Sequence, residues 1–140
     1  MRKGYIVLAQ AFEYNDEYFS SLDNAYQTVS IAYATRERAE KEAKKVNVEH
    51  AYQVAGDLRD WTYGGPAGEM FRHEPEEDVL ELARKVFDDP PESFKDALDK
   101  FDELDELPLD RVDLEWLVKT FSVFRCAFVS EIEIEEEVIG

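Results

Sequence analysis

Few side chains in this sequence are of the kind that make or break covalent bonds, and many carry charge. Histidine occurs at His50 and His73, and cysteine only at Cys126. Cys126 lies in the apolar run Phe124-Arg125-Cys126-Ala127-Phe128 and has no neighbouring base in the sequence. It can form no intrachain disulfide, no zinc site can be built from cysteine pairs, and it reads as a small buried hydrophobe. His73, in Phe71-Arg72-His73-Glu74-Pro75, has no second histidine four residues on, and Pro75 breaks the zinc-protease spacing; helix capping or plain exposure is expected. His50 falls on the inner stripe of a predicted helix, where a packed histidine is expected.

The carboxylates are more numerous than specific. Asp102-Glu103-Leu104-Asp105-Glu106 offers oxygen to a hard cation but lacks the glycine and alternation of a calcium loop, so it reads as a solvated helix face. No spacing marks the pair of carboxylates that glycoside hydrolysis needs across a cleft. Gly64-Gly65-Pro66-Ala67-Gly68 has no lysine, serine or threonine after its glycines, and an acidic region follows. It is read as a structural or partner-contacting loop, not a phosphate loop. The sequence thus marks no catalytic, metal-ligating or cofactor-binding residue, and the chain reads as non-enzymatic.

Two patches are candidates for binding a partner. The first is Tyr14, Asn15, Asp16, Glu17 and Tyr18, with Phe19 beside them. Exposed aromatics next to acids are a common protein-contact composition. The alternative is that Tyr18 and Phe19 fold back onto the core. The second patch is Glu92, Asp96, Asp99, Glu103 and Glu106. On one helix this spacing puts successive carboxylates about 5–6 Å apart, roughly as phosphates repeat along a nucleic-acid strand. The alternative is ordinary solubility.

Charge supports the emphasis on binding. The net formal charge is −17 over 140 residues, with −2 on residues 1–62 and −15 on residues 63–140. Such a field repels nucleic acid and anionic membrane, and suits a basic protein partner. The length is that of one domain, with residues 63–121 as a helical insertion within it. No transmembrane segment or signal peptide is read, and a cytoplasmic location is the expectation.

The elements that must position these residues follow from periodicity. Gly4–Phe12 is apolar at almost every position and reads as a strand covered on both faces, or a central strand. Gln27–Ala34 alternates Val29, Ile31 and Tyr33 with smaller residues and reads as its antiparallel partner across a longish loop. Thr35 is placed to cap a helix to about Val54, with Ala39, Ala43, Val46 and His50 inward and Gly56 as the stop. Aromatic residues flank the glycine loop, whose tip is expected to be mobile. Three helices follow: one from Pro75, one after Pro90-Pro91, and one after Pro108 capped by Asp110. Val112 and Trp116 are expected to one side of the last, where they or a free strand edge leave self-association open. The closing strand is predicted over 123–134, beside the first strand in the sheet centre. Its acidic end, Glu131–Glu135, discourages further pairing. The fold class is therefore α+β: a small antiparallel sheet with a β-β-α-β core and a three-helix insertion before the last strand.

The Tyr14-Asn15-Asp16-Glu17 turn between strands, and the helix start Thr35-Arg36-Glu37-Arg38-Ala39-Glu40, resemble those of small uncharacterised bacterial proteins. In those, a strand, a YNDE-type turn, a strand and a T/S-x-x-x-A-E helix start follow one another. The resemblance covers residues 4–55 and 123–136. It implies a β-β-α-β core and a bacterial or phage-like origin, and supplies no activity.

The leading expectation is an acidic protein-interaction domain that binds a basic partner surface. A nucleic-acid-mimicking inhibitor of a DNA- or RNA-binding protein is the sharper alternative. A carboxylate enzyme, with or without a metal ion, in the cleft between sheet and insertion is the third.

Overall fold

The computed structural model describes residues 2–14, 19–62 and 65–134. Three strands form one antiparallel sheet: β1 (Arg2–Tyr14), β2 (Phe19–Thr28) and β3 (Ala127–Ile134), in the order β2-β1-β3. Four helices accompany it: α1 (Arg36–Gly56), α2 (Glu76–Val86), α3 (Phe94–Phe101) and α4 (Leu114–Thr120). The α+β class is as the periodicity predicts. No helix among the described residues is long and apolar enough to cross a membrane.

The apolar run of β1 suits its central place. Val7 and Ala9 are buried against Ala39 and Ala43 of α1, together with Ala127 of β3. The register shifts between Gln10 and Phe12. Strict alternation would put Phe12 on the same side as Gln10. The irregularity instead brings its ring onto His50 and Trp61, at 5.1 Å from each. The opposite face of the sheet carries Tyr26 and Phe128, half-exposed, with rings in edge contact at 5.4 Å.

Three strand predictions are corrected. The second strand occupies Phe19–Thr28, not Gln27–Ala34. Beyond Thr28, Ser30 Oγ accepts the Val7 N–H, and the chain bows out before Tyr5 and Tyr33 exchange backbone hydrogen bonds. A serine side chain takes the place of a backbone partner, so Ile31 is left 77% exposed. Tyr14 pairs with Phe19, so the strands come together closer in sequence than expected. The third strand begins at Ala127, because Ser122–Phe124 is a 3₁₀ turn whose Ser122 hydroxyl and Val123 N–H donate to Glu74. It pairs with β1 as predicted, but lies at the sheet edge.

Helix α1 starts where its sequence says. Thr35 Oγ1 accepts the Arg38 N–H, and the helix runs two residues beyond the expected end. Its N-terminal half packs on the sheet. Ala51, Val54 and Ala55 in its C-terminal half enter a second core with Phe71, Leu82, Phe101 and Phe121. Helix α2 begins after Pro75, with acids first and Arg84 and Lys85 last, which complements the helix dipole.

Other helix predictions need revision. Helix α3 is capped by Ser93 and ends at Phe101, so only Asp96 and Asp99 of the acidic set lie on it. Glu92 precedes the cap, and Glu103 and Glu106 follow the last turn. The third inserted helix starts at Leu114 under an Asp113 cap, not after Pro108 under Asp110. Residues 109–112 form turns, held where Arg111 donates to the Val86 carbonyl and the Asp88 carboxylate. Val112 is consequently buried, and Trp116 is half-buried with its ring edge-on to Phe121. The far end of the glycine loop, at Ala67 and Gly68, is packed. Ala67 is buried, and the Gly68 N–H donates to Asp102. A Cβ at Gly68 would overlap the Leu98 carbonyl oxygen, so glycine permits this close approach of α3. Tyr63 and Gly64 lie outside the described residues.

Candidate partner-binding groove

One groove joins an aromatic wall to an acidic one. Its volume is about 520 Å³. The aromatic wall starts at the bend in β1. Phe12 stacks on His50, and Trp61 meets both edge-on. The far side of Trp61 stacks on Phe19, with centroids at 4.2 Å and planes 7° apart. Phe19 opens β2 and also touches the ring of Tyr14, its cross-strand partner, at 4.7 Å. Tyr52 of α1 adds a further ring, 59% exposed.

The acidic wall comes from the end of α1 and from the chain after α3. Asp57 caps α1 and Asp60 lies in the following 3₁₀ turn. Leu58 donates to the Asp105 carbonyl at 2.9 Å and Leu107 to the Ala55 carbonyl at 2.8 Å. These two bonds hold Glu106 between them at the rim. Arg59, the nearest cation in sequence, is engaged with Asp105 at 2.8 Å. Among the described residues, no lysine or arginine lines the groove. The Asp60 carboxyl is pushed above the usual range by loss of solvent at the groove wall, and further by a hydrogen bond and charge repulsion from Asp57. Crowded carboxylates of this kind gain from an incoming cation.

His50 sits beneath this surface. Burial lowers its pKa to about 4, so the ring is neutral near pH 7 and acts as an aromatic packing unit. That accords with the packed histidine expected from its stripe. His73 is exposed. Cys126 is half-buried, and burial pushes its thiol up to about 11. Among the described residues no group of three or more His, Cys, Asp or Glu is placed to hold a metal ion.

Of the predicted residues, Glu106 lines the groove, and Tyr14 touches the ring of Phe19 in its wall. Asn15, Asp16, Glu17 and Tyr18 lie outside the described residues. Asp99 lines a different hollow, beside Arg72 and Lys95. Glu92, Asp96 and Glu103 are exposed and line neither. Sequence reasoning missed Tyr52, Asp57, Asp60 and Trp61 as site residues. The available signal was the acidic pair Asp57 and Asp60 just past a helix-ending glycine and beside a tryptophan.

No family model, curated protein or solved structure matches the chain.

Proposed function

We propose that the chain is an acidic, non-enzymatic protein-interaction domain that takes a basic segment of a partner protein in this groove. One observation carries the reading: the Phe19, Trp61 and Tyr52 rings stand beside Asp57, Asp60 and Glu106, and among the described residues no basic side chain lines the groove. An arginine or lysine side chain gains there from both walls, by stacking on ring faces and by pairing with carboxylates. The excess negative charge of residues 63–140 adds long-range steering to short-range recognition. The nucleic-acid-mimic reading has less behind it, because the carboxylates of residues 92–106 do not share one helix face.

The test is a titration of the Trp116→Phe variant, in which Trp61 is the sole tryptophan, with an arginine-rich peptide. A change in Trp61 emission is expected, weakening steeply between low salt and 0.5 M salt, on the order of tenfold or more. Asp57→Asn combined with Glu106→Gln should weaken it by a further factor of about ten. A Trp61 response indifferent to salt, or an equal Trp61 response to a glutamate-rich peptide, overturns the proposal.

A further inference from the structure

A second groove, of about 830 Å³, runs along the outer edge of β3, with α1 and α4 as its other walls. Its charge differs from that of the molecule. Four basic and three acidic side chains line it, whereas the chain carries 16 basic and 33 acidic residues. Lys44 is paired with Glu115 at 3.2 Å, but no ion pair is found for Lys119 or Arg125 among the described residues.

The backbone of β3 supplies the second half of the argument. Gln10 donates to the Cys126 carbonyl, and Leu8 pairs with Phe128. In an antiparallel ladder successive residues point their N–H and C=O alternately to either side. Phe128 and Ser130 therefore bond to β1, and Ala127 and Val129 point outward. The groups of Ala127 are taken by the Asn47 side chain. Its Oδ1 accepts the Ala127 N–H at 2.7 Å and the Cys126 N–H at 2.8 Å, and its Nδ2 donates to the Ala127 carbonyl at 3.1 Å. One amide thus plays the part of the first residue of a fourth strand. The next outward pair, on Val129, faces the groove.

We propose that a short extended acidic segment of a partner protein adds to the edge of β3 at Val129, continuing the ladder that Asn47 begins. Backbone pairing gives the segment its register, and Lys119 and Arg125 receive its carboxylates. Glu131 and Glu133, exposed further along β3, repel such a segment and confine pairing to the Val129 end. This site is separate from the acid–aromatic groove and takes the opposite charge, so the two stand or fall independently.

The probe is an acetylated, amidated heptapeptide alternating glutamate with valine, with lysine replacing glutamate in a control. Two-dimensional amide spectra of the full chain should show the acidic peptide moving the Val129 amide and the Trp116 indole. Exchange of the Val129 N–H should slow by about tenfold or more on binding. Lys119→Glu with Arg125→Glu, both exposed side chains, should weaken binding about tenfold. Val129→Pro deletes an N–H that β1 does not use, and should abolish the Trp116 response in a chain that still unfolds cooperatively. No movement of the Val129 amide, an unchanged Val129 exchange rate, or an equal movement of the Val129 amide by the lysine peptide each overturns the proposal. Val129→Pro binding like the parent overturns the strand pairing in particular.

Discussion

Replacing Asn47 with alanine should be among the most damaging single changes to this protein, although nothing in the sequence marks the residue. The side chain is 6% exposed and makes three hydrogen bonds to the backbone at the start of β3. Alanine leaves two N–H groups and one carbonyl without partners at a packed junction of helix and strand. A buried group stranded in this way costs about 1–3 kcal/mol, and partial access of water to Cys126 lowers the total, so about 3–5 kcal/mol is expected. Domains of this size are stable by about 5–15 kcal/mol in all, so a large fraction is at stake. Urea unfolding followed by far-ultraviolet circular dichroism reads the change directly. Asn47→Asp separates acceptor from donor. Ionised, it still accepts both N–H groups but faces the Ala127 carbonyl with negative charge. Protonated, it donates to that carbonyl. Its folded-state pKa should therefore be raised, and its stability should fall as pH rises from 4 to 7. A loss below about 1 kcal/mol for Asn47→Ala, within the range of ordinary surface changes, would refute the reasoning.

Two further predictions rest on titration. His50 has a folded pKa of about 4 against 6.5 in an unconstrained chain, so between these values the unfolded chain binds more protons. Its contribution is complete above pH 6.5 and is lost as pH falls towards 4. Between pH 7.5 and pH 5 the loss is about 2 kcal/mol. Urea titrations at both pH values should show this difference between the parent and His50→Phe, and equal losses in the two proteins would contradict it. For Cys126, burial raises the thiol pKa from 9.0 to about 11. At pH 8 the thiolate fraction falls about a hundredfold, and reaction with an aromatic disulfide reagent should slow by at least that factor relative to the chain in urea. Comparable rates in the two states would show the thiol to be ionised in the fold.

Local rules account for much of the frame. The apolar run Gly4–Phe12 forms the central strand, with Val7 and Ala9 buried against α1. The Thr35 hydroxyl starts α1 and the charge order from Glu76 to Lys85 marks α2, because capping and dipole effects act within one turn and need no distant residue. Where the sequence misled, a side chain from elsewhere competed with the local pattern. Ser30 captured the Val7 N–H and ended a strand that alternation would have continued, and Glu74 held Ser122 and Val123 in a turn. Arg111 tied down the segment after Pro108, so the helix there began later.

The candidate sites belong to tertiary structure more than the frame does. Acidity and its concentration beyond residue 62 are properties of composition, and they already named a basic partner as the expectation. Which carboxylates share a surface depends on where helices end. Helix α3 is too short to carry the set from Glu92 to Glu106 on one face, and the turn after it brings Glu106 to Asp57 and Asp60. Trp61 becomes a wall only because the bend in β1 turns Phe12 towards it and β2 begins with Phe19. Asn47 carries no mark of its role in the sequence. It serves as a strand's first hydrogen-bonding partner because the fold returns residues 126 and 127, 79 and 80 positions later, to its side. Charge and propensity are written residue by residue, whereas a groove needs chain-distant residues to meet, and that meeting is decided by packing.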